Sequence, residues 1–413
     1  MVTQAEREKL SKGHQAAFIG DLTPVIVCEL TASGWRGLTE DGEVLNVNGG
    51  KAPGDGLTMV DLEGRTVGFR TIAKPTSDGT IDAHLLHFYN AGMAFRQTSF
   101  ATALAEIDKA LRAAPTTRAR FNRAMMLLSL GRWQEGFQEY ADCETKPPFM
   151  RPICRTLVAM GVAPWKRENL RGKHLLLVHA HGFGDTIMML RFVPKLEKMG
   201  AKVSIMVPPP LERLAAQVAP VVHDPPPDTD FFIAALQLMD ALQITPERIP
   251  ARPYLKVDPF AVENWRARLA NGISGSSARS RDRIGLAWSV GKFIESDYPR
   301  PAPLKLMVDR LRDEAELISV QTQDHQAAQA LGVRTFNFED FADCAACMSA
   351  LDEIVTVDTA ALHLAGAIGH PRVTALLSHW HSWRWLAPWY EGATVLRQER
   401  AGDWESVFVQ RAK

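Results

Sequence analysis

One segment limits the possible folds more than any other. Lys173–Ala180 reads as a single apolar run, the mark of a strand buried on both faces. A glycine turn, His181-Gly-Phe-Gly-Asp-Thr186, follows it, then a helical pattern over Thr186–Met199 and a second strand at Lys202–Val207. Strand, helix, strand is a βαβ unit, which implies a parallel sheet covered by helices. The pattern starts again further on. Arg283–Ser289, Leu317–Gln321, Glu353–Val357 and Val373–Leu377 read as strands, and Leu304–Asp313, Phe341–Leu351 and Ala360–Ile368 as helices. Between the two sets lie a charged helix near Val262–Ala270 and a Gly/Ser-rich stretch, Asn271–Asp282, with linker composition. Two α/β domains joined by a hinge would hold a ligand in the cleft between them.

At 413 residues the chain is too long for one ordinary core, and two to four domains are expected. Residues 1–83 differ from the rest. Short β-prone runs at Pro24–Leu30, Leu57–Leu62 and Thr66–Ile72 alternate with the turn pairs Asp41-Gly42, Asp55-Gly56, Glu63-Gly64 and Asp78-Gly79. This reads as a small β-rich module rich in hairpins, with no legible role. Over residues 84–150 the period becomes helical. Tyr89, Gly92, Phe95, Ala103, Ile107, Ala110, Leu111 and Pro115 fit one helical pair, with the small residues allowing close approach and Pro115 ending it. Ala124, Leu127, Gly131, Trp133, Gly136 and Tyr140 fit a second, weaker unit. The segment resembles tetratricopeptide repeats. It reads either as a helical bracket on the domain that follows or as a docking surface for a polypeptide acceptor. The lobes are expected at 165–275 and 283–413.

Composition excludes several classes. The 47 basic and 47 acidic residues cancel, so no global charge favours nucleic acid. No apolar run is long enough to span a membrane, and the first residues lack a secretory core, which points to the cytoplasm. The five cysteines are scattered and do not form a disulfide framework. Cys344 and Cys347 form a C-x-x-C without a second ligand pair, and read as small core residues one helical turn apart. His179, His181, His223, His379 and His381 lack zinc-enzyme spacing, so no metal is expected.

Two turns carry the chemistry. In Val355–Pro371 a buried strand ends at Asp358 and a helix begins within two residues. Its free N–H groups and dipole suit an anion, and a diphosphate is the natural guest. Thr359 can cap the helix or bond a phosphate oxygen, and His363 reaches the same place. Asp358 suits a ribose hydroxyl or the orientation of His363. Gly366 permits close packing, and Gly369 with Pro371 ends the helix. A plain capped helix with a core histidine fits the same residues. In the His181–Thr186 turn, Gly182 and Gly184 free the backbone to approach a ligand. Asp185 there is either an N-cap or a general base. The four tryptophans from Trp380 to Trp389 read as a packed closing segment, or as a ring stacked on a ligand.

Both turns, in this order, resemble those of family 9 glycosyltransferases, the heptosyltransferase-like group, and most of all bacterial members joined to tetratricopeptide repeats. Gly172-Lys173, Arg191-Phe-Val-Pro194, Gly285-Leu-Ala-Trp-Ser289, Ser319-Val-Gln321, Trp383-Arg-Trp385, Trp389-Tyr390, Arg397-Gln398 and Asp403-Trp404 extend the resemblance over about residues 165–404. It implies a GT-B fold of two Rossmann-like lobes and inverting, metal-independent transfer from a nucleotide sugar without a cofactor. It implies that Asp185 is the catalytic carboxylate and that Asp358, Thr359 and His363 bind the donor. Ser289 and Lys292 would lie in a phosphate-contacting loop, and Arg300 beside it. Repeat-bearing relatives commonly have Glu-Gln where this chain has only His181. Lobe closure across 271–282 would exclude water. A non-catalytic nucleotide-binding scaffold and a sugar-nucleotide epimerase are the rival readings.

Overall fold

The computed structural model describes residues 22–31, 34–39, 44–48, 57–62, 65–71, 83–96, 98–146, 149–271, 282–290, 300–380 and 382–411. The chain divides into two compact units, Met1–Leu130 and Gly131–Lys413.

The first unit opens with β1 (Leu22–Thr31), β2 (Gly34–Thr39), β3 (Val44–Asn48), β4 (Leu57–Leu62) and β5 (Arg65–Thr71). They form one sheet in the order β3-β2-β1-β5-β4. All neighbours are antiparallel except β1 and β5. The expected runs at 24–30, 57–62 and 66–72 correspond to β1, β4 and β5. Strands β2 and β3 were not legible, because glycine and asparagine interrupt their alternation. The four turn pairs lie outside the described residues. Asp41-Gly42 and Glu63-Gly64 fall between antiparallel neighbours. Asp55-Gly56 does not: it falls between β3 and β4, which lie at opposite edges of the sheet.

Helices α1 (Ala83–Arg96), α2 (Phe100–Ala113) and α3 (Thr117–Ser129) follow. They share a core that includes Ala91, Ala103, Ile107, Ala110 and Leu127, each fully buried. Ala103 and Ala110 are thus among the small residues at this packing. Gly92 is not, since nothing described lies within 4 Å of where its Cβ would stand. Thr116 caps α3 by accepting from the Ala119 N–H at 3.2 Å.

The second unit opens with α4 (Trp133–Glu144) and α5 (Pro152–Ala159), so the helices of the repeat-like segment fall in both units. The first lobe has β6 (Ala163–Pro164), β7 (His174–Val178), α6 (Phe183–Leu190), α7 (Val193–Lys198), β8 (Lys202–Met206) and β9 (Phe231–Ala234). Its sheet is parallel throughout, in the order β6-β9-β7-β8. Cys154 and Leu157 of α5 cover one face over Leu176, Val178, Phe232 and Ala234. The single helix expected over 186–199 is two. Pro194 has no N–H for the carbonyl one turn back, so the helix breaks and restarts.

Helix α8 (Pro259–Ala270) leads toward the second lobe, and residues 272–281 of the hinge expected at 271–282 lie outside the described residues. The lobe comprises β10 (Asp282–Ala287), α9 (Leu304–Leu311), β11 (Ala315–Ser319), α10 (His325–Ala330), α11 (Phe341–Ser349), β12 (Glu353–Val357), α12 (Ala360–Ala367), β13 (Val373–Leu377), β14 (Ala393–Arg397) and α13 (Trp404–Arg411). The sheet is parallel, ordered β11-β10-β12-β13-β14, and a parallel bridge from Ile318 to Arg334 continues it beyond β11. Every residue of β12 and β13 is buried, and each fully buried Val, Leu or Ile side chain contributes about 1.5–3 kcal/mol.

Strand order reverses between β7 and β9 in the first sheet and between β10 and β12 in the second. Ligands of such sheets bind beyond the carboxyl ends of the strands at these reversals. Both turns singled out in the sequence emerge there, one after β7 and the other after β12.

Candidate active site

The first turn is shaped by its glycines. Gly182 is the N-cap of α6 at φ −70°, ψ 157°. Asp185 is not the cap but the third residue of the helix, and its Oδ2 accepts from the Gly182 N–H at 3.2 Å. This bond uses only one carboxylate oxygen, so the other can face a partner outside the turn. It accepts from Arg384, which arrives from a helical turn of the second lobe, Trp383–Leu386. Burial alone would raise the Asp185 carboxyl. The Arg384 charge, with His181 and His363 nearby, outweighs burial and holds the group below the ordinary carboxylate value.

The second turn is more deeply enclosed. Asp358 and His363 are 5% and 3% exposed. Thr359 is the N-cap of α12 and accepts from the Ala361 N–H at 3.4 Å. His363 Nδ1 lies 2.9 Å from the Tyr390 hydroxyl, and its ring stacks on Trp385 at 5.8 Å and 7°. Its Nε2 is 3.8 Å from Asp358, beyond hydrogen-bond range, so Tyr390 and Trp385 are the direct partners of the ring. Burial is the largest influence on the imidazole and brings it down to about 4, which leaves it neutral near pH 7.

The two turns meet. A Cβ on Gly184 would stand 2.6 Å from His363 Cδ2 and 3.3 Å from Ala360 Cα, so only glycine lets α6 cross the start of α12 at this distance. Gly366 plays a similar part against Tyr390, whose ring would overlap any Cβ there. Arg191, at the break between α6 and α7, fastens the crossing. It donates to the Met188, Pro250 and Trp389 carbonyls at 3.0, 3.1 and 2.8 Å and lies over the rings of Tyr254, Trp389 and Tyr390. Desolvated contacts of this kind are worth about 2 kcal/mol each.

Arg300 adjoins the second turn and donates to the Asp358 carbonyl at 3.4 Å. Ser289, just past β10, sits in a polar cluster. Its hydroxyl donates to Asp324 at 3.1 Å and accepts from the Gln321 amide at 3.0 Å, and Asp324 takes a left-handed φ of 58°. Strands β10 and β12 are paired, so Ser289 and Asp358 leave adjacent strands. Lys292 lies outside the described residues.

Several site residues were missed in the sequence. Helix α4 presents Trp133, Phe137, Tyr140 and Glu144 along one stripe, all buried. Glu144 Oε1 is 2.6 Å from His181 Nε2, with both side chains 3% exposed or less. Trp133 and Phe137 pack edge-on against Trp383 at 5.6 and 4.9 Å. One helix therefore backs His181 on the first lobe and the neighbour of Arg384 on the second. Trp133 and Tyr140 were legible as helical-repeat residues, and extending the same spacing to Phe137 and Glu144 would have marked the whole stripe as a buried face. Trp383 and Trp389 belong to the packed closing segment, whereas Trp385 backs His363.

Among the described residues no group of His, Cys, Asp or Glu could hold a metal ion. Cys344 and Cys347 are buried in the core, and burial pushes the Cys347 thiol up to about 12. No described helix is long and apolar enough to cross a membrane.

The geometry defines a class: a two-lobed α/β unit whose switch-point turns are pressed together at one polar site. No protein-family model matches the chain. It is similar to Protein FlbA of Caulobacter vibrioides, 27% identical over 355 residues, a match that covers 74% of this chain and 57% of that protein. The chain therefore spans little more than half the length of that relative. Solved structures with some likeness include the glycosyl transferase family 9 from Veillonella parvula, 12% identical with a TM-score of 0.40 over 56% of this chain and 87% of that one. The E. coli ADP-heptose lps heptosyltransferase II is 15% identical, also with a TM-score of 0.40, over 58% of this chain and 98% of that one. Likeness at this distance fixes neither activity nor substrate.

Proposed function

We propose that residues 165–413 form a GT-B glycosyltransferase, inverting and metal-independent, which moves a sugar from a nucleotide-sugar donor to a hydroxyl of a protein or glycan acceptor in the cytoplasm. One observation carries this reading. Two switch-point turns from different lobes share one site, with a carboxylate on the first and a helix start on the second. On this reading Asp185 takes the proton of the acceptor hydroxyl, which attacks the sugar carbon from the face opposite the diphosphate. An ionised carboxylate suits that task, and general base catalysis is typically worth about 10²–10⁴-fold. The start of α12, with the Thr359 hydroxyl, meets the charge that develops on the leaving diphosphate. Neutral His363 can donate or accept a hydrogen bond there without adding charge. Ser289 and Lys292, which follow β10 in the chain, would also contact the diphosphate. A polypeptide acceptor would dock on the repeat-like helices of residues 84–150.

A non-catalytic scaffold is the second reading, favoured by the occupation of Asp185 by Arg384. Labelled nucleotide sugars offered with a set of protein and glycan acceptors decide between them. A glycosylated product that Asp185→Asn no longer forms supports the transferase. Nucleotide binding without product from any pair supports the scaffold.

A further inference from the structure

We propose that Arg384 is a catalytic cation that changes partners: it bonds Asp185 in the empty site and moves to the diphosphate of the bound donor, freeing the carboxylate as it does so. This rests on the glycosyltransferase reading above.

The contrast with Arg191 carries the inference. Arg191 is 5% exposed and saturated, bonded to three carbonyls and the Tyr254 hydroxyl and sandwiched by three rings. It has no freedom to serve a ligand. The Arg384 side chain is 18% exposed. A guanidinium carries five N–H donors. Among the described residues those of Arg384 find the Asp185 carboxylate and a long 3.4 Å contact to the Ser382 hydroxyl. Its plane lies over the Trp383 ring at 4.4 Å, which steadies the head without using the donors. Planar, unspent donors match the oxygens of a diphosphate.

Its position is also right. Arg384 bonds Asp185 of the first turn, and the ring of its neighbour Trp385 stacks on His363 of the second, so it stands where the two turns meet. A diphosphate at the start of α12 would meet the Asp358 carboxylate and needs a cation beside it. His363 is neutral near pH 7 and cannot supply one. Among the described residues Arg397 is bonded to the Ser378 carbonyl at 3.2 Å, and Arg300, held by only a long 3.4 Å contact to the Asp358 carbonyl, can assist from the far side of that turn. Arg384 has only another carboxylate to leave.

The exchange couples the two half-sites. In transfer, the acceptor O–H gives its proton to Asp185, the new C–O bond forms, and the bond to the diphosphate breaks with its electron pair going to the phosphate oxygen. That oxygen gains the charge that Arg384 then meets. Once Arg384 has left, burial is no longer outweighed to the same degree and Asp185 becomes a stronger base. His181, His363 and the Tyr140 hydroxyl also face Asp185.

Calorimetric titration of the full chain with ADP, GDP, UDP and pyrophosphate tests the exchange. Arg384→Ala should weaken the best-binding probe by about tenfold or more, and Arg384→Lys should recover part of the loss. Asp185→Asn should tighten the same probe several-fold, because it removes both the competing partner and a nearby negative charge. Opposite signs from the two halves of one ion pair are the signature. Equal losses in both variants, or no change in Arg384→Ala, overturn the proposal. Should Arg384→Ala fail to fold, Asp185→Asn decides: unchanged or weakened binding overturns the proposal, and tightened binding supports it. If the wild-type chain binds none of the four probes, the glycosyltransferase reading falls too. If it binds one and the variants do not diverge, only the Arg384 inference falls.

Discussion

The two switch-point turns share one architecture and differ in how they are held. The 181–186 turn is open on its outer side, where Gly182 and Phe183 are exposed, and one of its carboxylate oxygens faces a partner that can leave. The 358–363 turn is enclosed, with its cap in place and its histidine fixed by a hydroxyl and a stacked ring. An acceptor that changes from one molecule to the next needs an approach from solvent. A diphosphate needs fixed dipoles, because their worth depends on not having to reorganise. This difference is compatible with the proposed reading, in which the first turn would meet the acceptor and the second the donor.

The largest test of this contrast is Asp185→Asn. Initial-rate assays should find transfer reduced by about 10²–10⁴-fold while nucleoside diphosphate binding persists. Normal transfer would remove Asp185 from the mechanism. Next comes pH. The His363 imidazole titrates near 4 in the folded chain against about 6.5 unfolded, so the unfolded state binds more protons between those values. Stability is therefore complete above about pH 6.5 and lost as pH falls toward 4, by about 3 kcal/mol from this group. Urea midpoints of the wild type and His363→Asn from pH 4.5 to 7 should show a shallower slope in the variant. Equal slopes would mean that the second turn is less enclosed than described.

Glu144→Ala probes the support of the first turn. Leaving His181 buried without its hydrogen-bond partner should cost about 1–3 kcal/mol, read from urea unfolding. A loss under about 0.5 kcal/mol would mean that α4 does not brace this turn. The smallest effect compares the two glycines of the turn. Gly184→Ala should destabilise by about 1–3 kcal/mol and lower transfer, since the new methyl meets His363. Gly182→Ala meets only the Asp185 carboxylate at 3.4 Å and should change stability by about 0.5 kcal/mol or less. Equal costs would place the lobe contact elsewhere.

Much of the second unit was legible because buried parallel strands leave continuous apolar runs. Strands β7, β8, β12 and β13 coincide with such runs to within a few residues. Strand β14 was not seen, since three of its five residues are partly or fully exposed before Leu396 and no run marks it. Strand β9 has four residues behind a proline- and aspartate-rich approach, too short to stand out. The turn residues were found for a related reason. Glycines, a cap and a helix start are local features, and local chemistry appears in adjacent letters.

By itself the sequence determined the two parallel sheets and the turns after Ala180 and Val357, because period, burial and capping act over a few residues. Only the tertiary structure decided what faces those turns. Arg384 reaches Asp185 across 199 positions, Tyr390 reaches His363 across 27, and Glu144 reaches His181 across 37. No local pattern encodes such pairings. They follow from how the two lobes and α4 pack, and packing depends on shape and burial summed over the whole unit.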